Sequence, residues 1–227
     1  PAARDAKRLI VVEGYMDVIA LDQAGIGEAV APLGTALTEA QLELAWRQVP
    51  TPVLAFDGDA AGQRAAMRAA ERALPLLQPG RSLAILTLPP GQDPDDVVKS
   101  GGKAAFEALL DRAEPLSAFL YRQRAAGIDL TLPDGRAAYK SELNQTAEAI
   151  GDKLVAGEYR RWFLDRFWGD FGWKKSNLGE VRHFVEATSR GDARHFFGSV
   201  YRSMLFALAQ RPRVAVDRLE ALSSIMV

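Results

Sequence analysis

Two carboxylates one residue apart, Asp57 and Asp59, stand in the run Phe56-Asp57-Gly58-Asp59-Ala60-Ala61-Gly62, at the end of an apolar stretch. Acids this close repel one another unless a proton or a cation sits between them, and a divalent ion with oxygen ligands suits them better than zinc does. The same residues also suit a solvated surface turn, because Asp-Gly is a common turn dipeptide. Glu13 follows another apolar run, Leu9-Ile10-Val11-Val12, and Asp17 lies one helical turn further on. Asp17 reads either as a second member of an acidic group with Glu13 or as a helix acid favoured by the dipole. In Pro89-Pro90-Gly91-Gln92-Asp93-Pro94-Asp95-Asp96, Asp95 reads as a ligand or as a helix N-cap, and Asp96 as a solvated acid.

These acids act together only if the chain brings them to one place, and the order of elements provides for that. Pro52 to Phe56 has the apolar character of a buried parallel strand, and Gln63 to Leu74 reads as a helix ended by Pro75. Gly58 and Gly62 let the intervening backbone turn tightly. Upstream, strands are expected at Leu9 to Val12 and Ala29 to Ala31, with helices over Tyr15 to Gln23 and from the capping box Thr38/Gln41 to about Gln48. Downstream, Leu83 to Leu86 is a fourth strand. Asp95 opens a short helix interrupted at Gly101-Gly102, and Lys103 to Arg112 is helical again. Strands and helices alternate four times, which predicts a parallel α/β sheet with right-handed crossovers. In such a sheet all strand carboxyl ends share one edge, where ligands bind. Glu13, Asp57/Asp59 and Asp93/Asp95 then crowd one cleft with few basic residues in the turns to neutralise them.

Composition narrows the classes. The 227 residues suffice for one large or two modest domains, the net charge is -1, and 48% of residues are hydrophobic. There is no Cys, and the histidines are His183 and His195, so a Cys/His zinc site and a thiol nucleophile are excluded. No apolar run approaches the roughly 20 residues that span a bilayer, and no signal peptide is visible, so a cytoplasmic protein is expected. The first residue is Pro1 rather than Met, which suggests a piece of something longer. Residues 1–114 carry 11 Lys/Arg against 16 Asp/Glu, and residues 115–227 carry 17 against 13; neither half has the basic footprint of a self-sufficient nucleic-acid binder.

After residue 114 the pattern turns helical, with segments over Pro115 to Ala126, Gly135 to Ile150 and Gly157 to Phe171, as in a small bundle. Trp162, Phe163, Phe167, Trp168, Phe171 and Trp173 alternate with Arg160, Arg161, Arg166, Lys174 and Lys175. That stripe is either a base-stacking surface or, as helical spacing favours, core with a basic solvated face. Ser176 to Asp192 resembles a linker, and two amphipathic helices are expected over Phe196 to Leu208 and Val214 to Met226.

Val12-Glu13-Gly14-Tyr15-Met16-Asp17-Val18, Leu33-Gly34-Thr35, Phe56 to Gly62 and Asp93-Pro94-Asp95 resemble, in order and spacing, the successive motifs of the Toprim domain in bacterial DnaG-type primases. A Glu with an Asp-x-Asp pair is shared by all Toprim proteins, topoisomerases and nucleases included. Glu-Gly-Tyr-Met-Asp-Val, Asp-Pro-Asp and Pro115 to Leu120 carry the primase-specific likeness. The resemblance extends to about Trp173 and is thin beyond it. It implies a Toprim catalytic domain over 1–114, a helical bundle of the polymerase core over 115–175, a linker over 176–193, and the start of a helicase-binding region over 194–227.

The implied activity is synthesis of short RNA primers on a single-stranded DNA template from ribonucleoside triphosphates, at the bacterial replication fork. Asp57, Asp59, Asp93 and Asp95 would hold Mg2+ or Mn2+. Glu13, with Asp17 beside it, would be a further ligand or the base that takes the proton from the primer 3′-hydroxyl. Arg64 either faces the phosphates or lies on the surface. The family's zinc-binding domain and basic subdomain precede the Toprim unit, so no zinc is expected in this chain. A Toprim-type nuclease and a non-catalytic module that docks the replicative helicase are the alternatives.

Overall fold

A computed structural model describes residues 2–32 and 36–172. Its elements belong to one compact unit, Pro1–Phe171. After a short helix α1 (Ala2–Asp5), the chain runs β1 (Ile10–Val11), α2 (Tyr15–Gln23), β2 (Ala29–Val30), α3 (Glu39–Trp46), β3 (Val53–Phe56), α4 (Ala60–Ala73), β4 (Ala84–Thr87) and α5 (Pro94–Leu110). A two-residue strand β5 (Glu114–Pro115) leads into α6 (Leu116–Arg124), α7 (Pro133–Glu148) and α8 (Lys153–Phe171). The sheet order is β2-β1-β3-β4-β5, parallel except for the β4–β5 pair. The expected α/β sheet flanked by helices and followed by a helical bundle is therefore what the chain forms.

Side-chain alternation along the strands sorts the core into two layers. Leu9, Val11, Leu54, Phe56 and Ile85 face α3 and α4, whereas Ile10, Val12, Ala55 and Leu86 face α2 and α5. On α4 the buried face is Ala66, Ala69, Ala70 and Ala73, small residues that let the helix lie close to the strands. The bundle continues this first layer, with Phe119, Leu120, Tyr139, Leu143, Phe163 and Phe167 in the same hydrophobic cluster. Thus Phe163 and Phe167 are core, while Trp162 is 39% and Trp168 47% exposed. Residues 176–193 and 194–227 lie outside the described residues, as do Trp173 and the Leu33-Gly34-Thr35 motif.

The structure moves several expected boundaries. α4 starts at Ala60 rather than Gln63 because Asp59 caps it, accepting the Gly62 N–H at 2.7 Å. α8 starts at Lys153 rather than Gly157, since Asp152 accepts the Leu154 and Val155 N–H groups at 2.9 and 3.0 Å. Gly157 sits exposed inside the helix, where glycine is costly but tolerated. Asp95 does not cap the helix after β4. Asp93 does, accepting the Asp96 N–H at 2.7 Å, with Pro94 at the first helical position, where its fixed φ and missing N–H cost nothing. Gly101-Gly102 kinks α5 rather than ending it, through the positive φ of 64° at Gly102.

Candidate functional site

The connection from β1 leads outward to β2 on one side, and that from β3 leads to β4 on the other. The order therefore reverses between β1 and β3, and such a switch point opens a crevice at the strands' carboxyl ends. Glu13 lies two residues past β1 and Asp57 one residue past β3, so both stand at this crevice. They are joined across it, the Asp57 N–H donating to Glu13 Oε1 at 3.1 Å. Asp17, in the first turn of α2, is buried and accepts the Gly14 N–H at 3.0 Å.

The turn that carries Asp57 and Asp59 is held from the side by the turn after β4. The Gly58 N–H donates to the Gln92 carbonyl at 3.1 Å. A Cβ at Gly58 would stand 1.8 Å from the Pro89 carbonyl oxygen, and one at Gly62 would stand 2.2 Å from that of Asp57. Neither glycine has a positive φ, so both serve close backbone approach rather than the tight turn expected of them. This packing brings the Asp93 turn to the other acids.

The electrostatics register that convergence. Burial, followed by the charges of Glu13, Asp17, Asp93 and Asp59, pushes the Asp57 carboxyl up to about 6. Burial also raises Asp17, against the Gly14 hydrogen bond, with Asp93, Asp95 and Glu13 adding repulsion. Charges from the segments after β1, β3 and β4 thus act on Asp57, and those from the segments after β1 and β4 act on Asp17. Asp95 is in an ion pair with Lys99 one turn along α5.

In donor type the group fits a hard divalent cation, all oxygen and strongly anionic. Asp57 Oδ1 is buried without a hydrogen-bond partner among the described residues, an atom that costs free energy unless something meets it. Yet among those residues no three acidic side chains surround one point at ligand distance. Glu13, Asp17, Asp59 and Asp93 each give an oxygen to a backbone N–H instead.

Arg64 is exposed on α4, and no contact joins it to the acids among the described residues. The arginines that reach the crevice are further along. A cleft of about 290 Å3 beside Glu13 is lined by Phe56, Ala65, Arg68, Ala69 and Arg72. The spacing of Arg64, Arg68 and Arg72 at four-residue intervals in an alanine-rich helix was the available sequence signal for them. A larger cleft of about 360 Å3 runs along α3, but no ionisable residue lines it and it offers phosphoryl chemistry nothing.

Residues 7–86 match the family model of the Toprim domain. The chain is 50% identical to a DNA primase of Escherichia coli (strain K12) over 133 residues, which are 59% of this chain and 23% of that protein. It superposes on a DNA primase domain from Pseudomonas aeruginosa with a TM-score of 0.67 and 37% identity, covering 80% of this chain and 57% of the other. A DnaG primase catalytic domain bound to ssDNA matches with a TM-score of 0.65 and 41% identity, over 72% and 54% of the two chains. The chain spans about a quarter of the length of the curated relatives it matches.

Proposed function

Because the chain carries a Toprim domain and is homologous to bacterial DnaG-type DNA primases, we propose that it supplies the metal-holding part of a primase centre that joins ribonucleotides on single-stranded DNA. The observation that carries this reading is the Asp57 carboxylate, raised to about 6 at the β1/β3 switch point and presenting a buried oxygen without a partner.

Phosphoryl transfer asks little covalent chemistry of a protein and depends on positioning and charge. Asp57, Asp59 and Asp93, with Asp95 at the rim, would hold Mg2+ or Mn2+. When bound, such ions neutralise triphosphate charge and stabilise the attacking and leaving oxygens. Asp57 and Asp59 sit on a turn clamped by the Gln92 carbonyl, so their backbone is set before any ligand arrives. Glu13 has one oxygen anchored by the Asp57 N–H, and its position in the cleft suits proton acceptance from the primer 3′-hydroxyl. Asp17, buried and fixed by the Gly14 N–H, is the second residue proposed to act in the reaction beside Glu13. The DNA-bound structure of a homologue supports single-stranded DNA as the template. As the family resemblance implies, we also propose ribonucleoside triphosphates as substrates, a replicative helicase as partner through residues 194–227, and action at the bacterial replication fork.

The test is a gel assay of the chain with single-stranded DNA, labelled ribonucleoside triphosphates and Mn2+, beside Asp57→Asn. Short RNA made only by the unsubstituted protein is the expected result. Shortened DNA in place of new RNA would move the reading to a nuclease.

A further inference from the structure

The cleft between β1 and α4 pairs opposite charges that do not meet. Glu13 and Arg68 both line it, yet Arg68 makes no ion pair with Glu13 or any other acid among the described residues. Arg68 is exposed, and the acid nearest it on the helix, Glu71, is taken by Arg124 at 2.9 Å. Arg72 differs, because its guanidinium donates to the Leu37 carbonyl and so forms a fixed wall. Ala65 and Ala69 line it on the same helix, small enough for a ligand to lie against α4, and Val11, Pro32 and Leu37 line it away from that helix. The cleft, about 290 Å3 in volume, has room for a phosphate group or a short phosphate chain.

We infer that this cleft is a phosphate subsite in which the Arg68 guanidinium grips a phosphate of a ligand whose cation is held at the acidic edge. The inference rests on the proposed nucleotidyl-transfer reading and adds a recognition residue to it. A planar guanidinium fork matches phosphate oxygens in pairs, whereas a lysine ammonium acts as a point charge. The phosphate belongs either to a ribonucleoside triphosphate or to the backbone of a nucleic-acid strand, and the two sources separate by experiment.

Binding of a fluorescent ribonucleoside triphosphate with Mn2+, and of labelled single-stranded DNA by anisotropy, should be measured for the unsubstituted chain, Arg68→Ala and Arg68→Lys. Arg68→Ala should lose about tenfold or more in affinity for one of the two ligands, with Arg68→Lys between. Its Mn2+ affinity and unfolding midpoint should stay those of the unsubstituted chain. If DNA is the ligand that weakens, the slope of log K against log salt should also fall by about 0.7. If only the nucleotide weakens, the triphosphate is the occupant. Equal binding of both ligands by Arg68→Ala and the unsubstituted chain would overturn the inference and leave the primase reading standing. An unsubstituted chain that binds neither ligand would overturn both.

Discussion

The two ends of β1 solve the same problem in opposite ways. Before the strand, Arg8 holds Glu107 through bonds of 2.6 and 2.8 Å and Glu28 through one of 3.0 Å, tying β1, β2 and α5 together. After the strand, Glu13 accepts the Asp57 N–H, Asp59 the Gly62 N–H and Asp93 the Asp96 N–H, so the hydrogen bonds of these acids come from backbone N–H groups rather than from arginine or lysine. Carboxylates that serve the fold are neutralised by a cation the chain itself provides. Glu13, Asp57, Asp59 and Asp93 are left to repel, and the raised ionisation of Asp57 is the mark of a site that expects its positive charge from outside.

Breaking the structural end should cost the most. Arg8→Ala leaves Glu28, whose side chain is 10% exposed, and Glu107 without a counter-charge, and should lower stability by about 2–3 kcal/mol in urea unfolding. Mn2+ affinity should not change. Arg8 holds the Glu107 carboxyl below its ordinary value, so this contribution is complete above the usual glutamate range and is lost as pH falls through the lowered value.

The functional end should respond to pH with the opposite sign. Asp57 is raised in the fold, so the metal-free protein should lose stability as pH climbs from the ordinary aspartate range to about 6. Because Asp57 is only partly buried, the loss should be about 1 kcal/mol after allowance for solvent screening. Thermal unfolding between acid and neutral pH reads this directly. Asp57→Asn should flatten the curve, and saturating Mn2+ should do the same for the unsubstituted chain. A flat curve for the metal-free unsubstituted protein would contradict the account.

The smallest expected effect on stability sharpens the contrast. Asp59 and Asp93 are helix N-caps as well as candidate ligands, and asparagine caps a helix about as well as aspartate does. Asp59→Asn should therefore change unfolding stability by less than about 0.5 kcal/mol while weakening Mn2+ binding. A large stability loss would mean that its charge serves the fold.

Much of this edge was legible in sequence because local chemistry dictates it. The run before Asp57 forms β3, Tyr15–Gln23 is helical as its pattern predicts, and the Thr38/Gln41 capping box forms with bonds of 2.8 and 3.3 Å. What escaped depends on contacts between distant segments. β5 is two residues long and pairs only because β4 offers an edge, too short to leave a pattern. Choosing between Asp93 and Asp95 as the cap required knowing that Pro94 begins the helix rather than precedes it. The need for glycine at 58 comes from Pro89, 31 residues away, and the place of Arg68 comes from the phase of α4 against β1.

The most direct measurement is a Mn2+ titration of the unsubstituted chain and Asp57→Asn at neutral pH, following free Mn2+ by electron paramagnetic resonance. The account predicts saturable binding that weakens by about tenfold or more when the charge at Asp57 is removed, in a protein that remains folded. Equal affinity in the two proteins would show that the acids at the β1/β3 switch point do not form the metal centre.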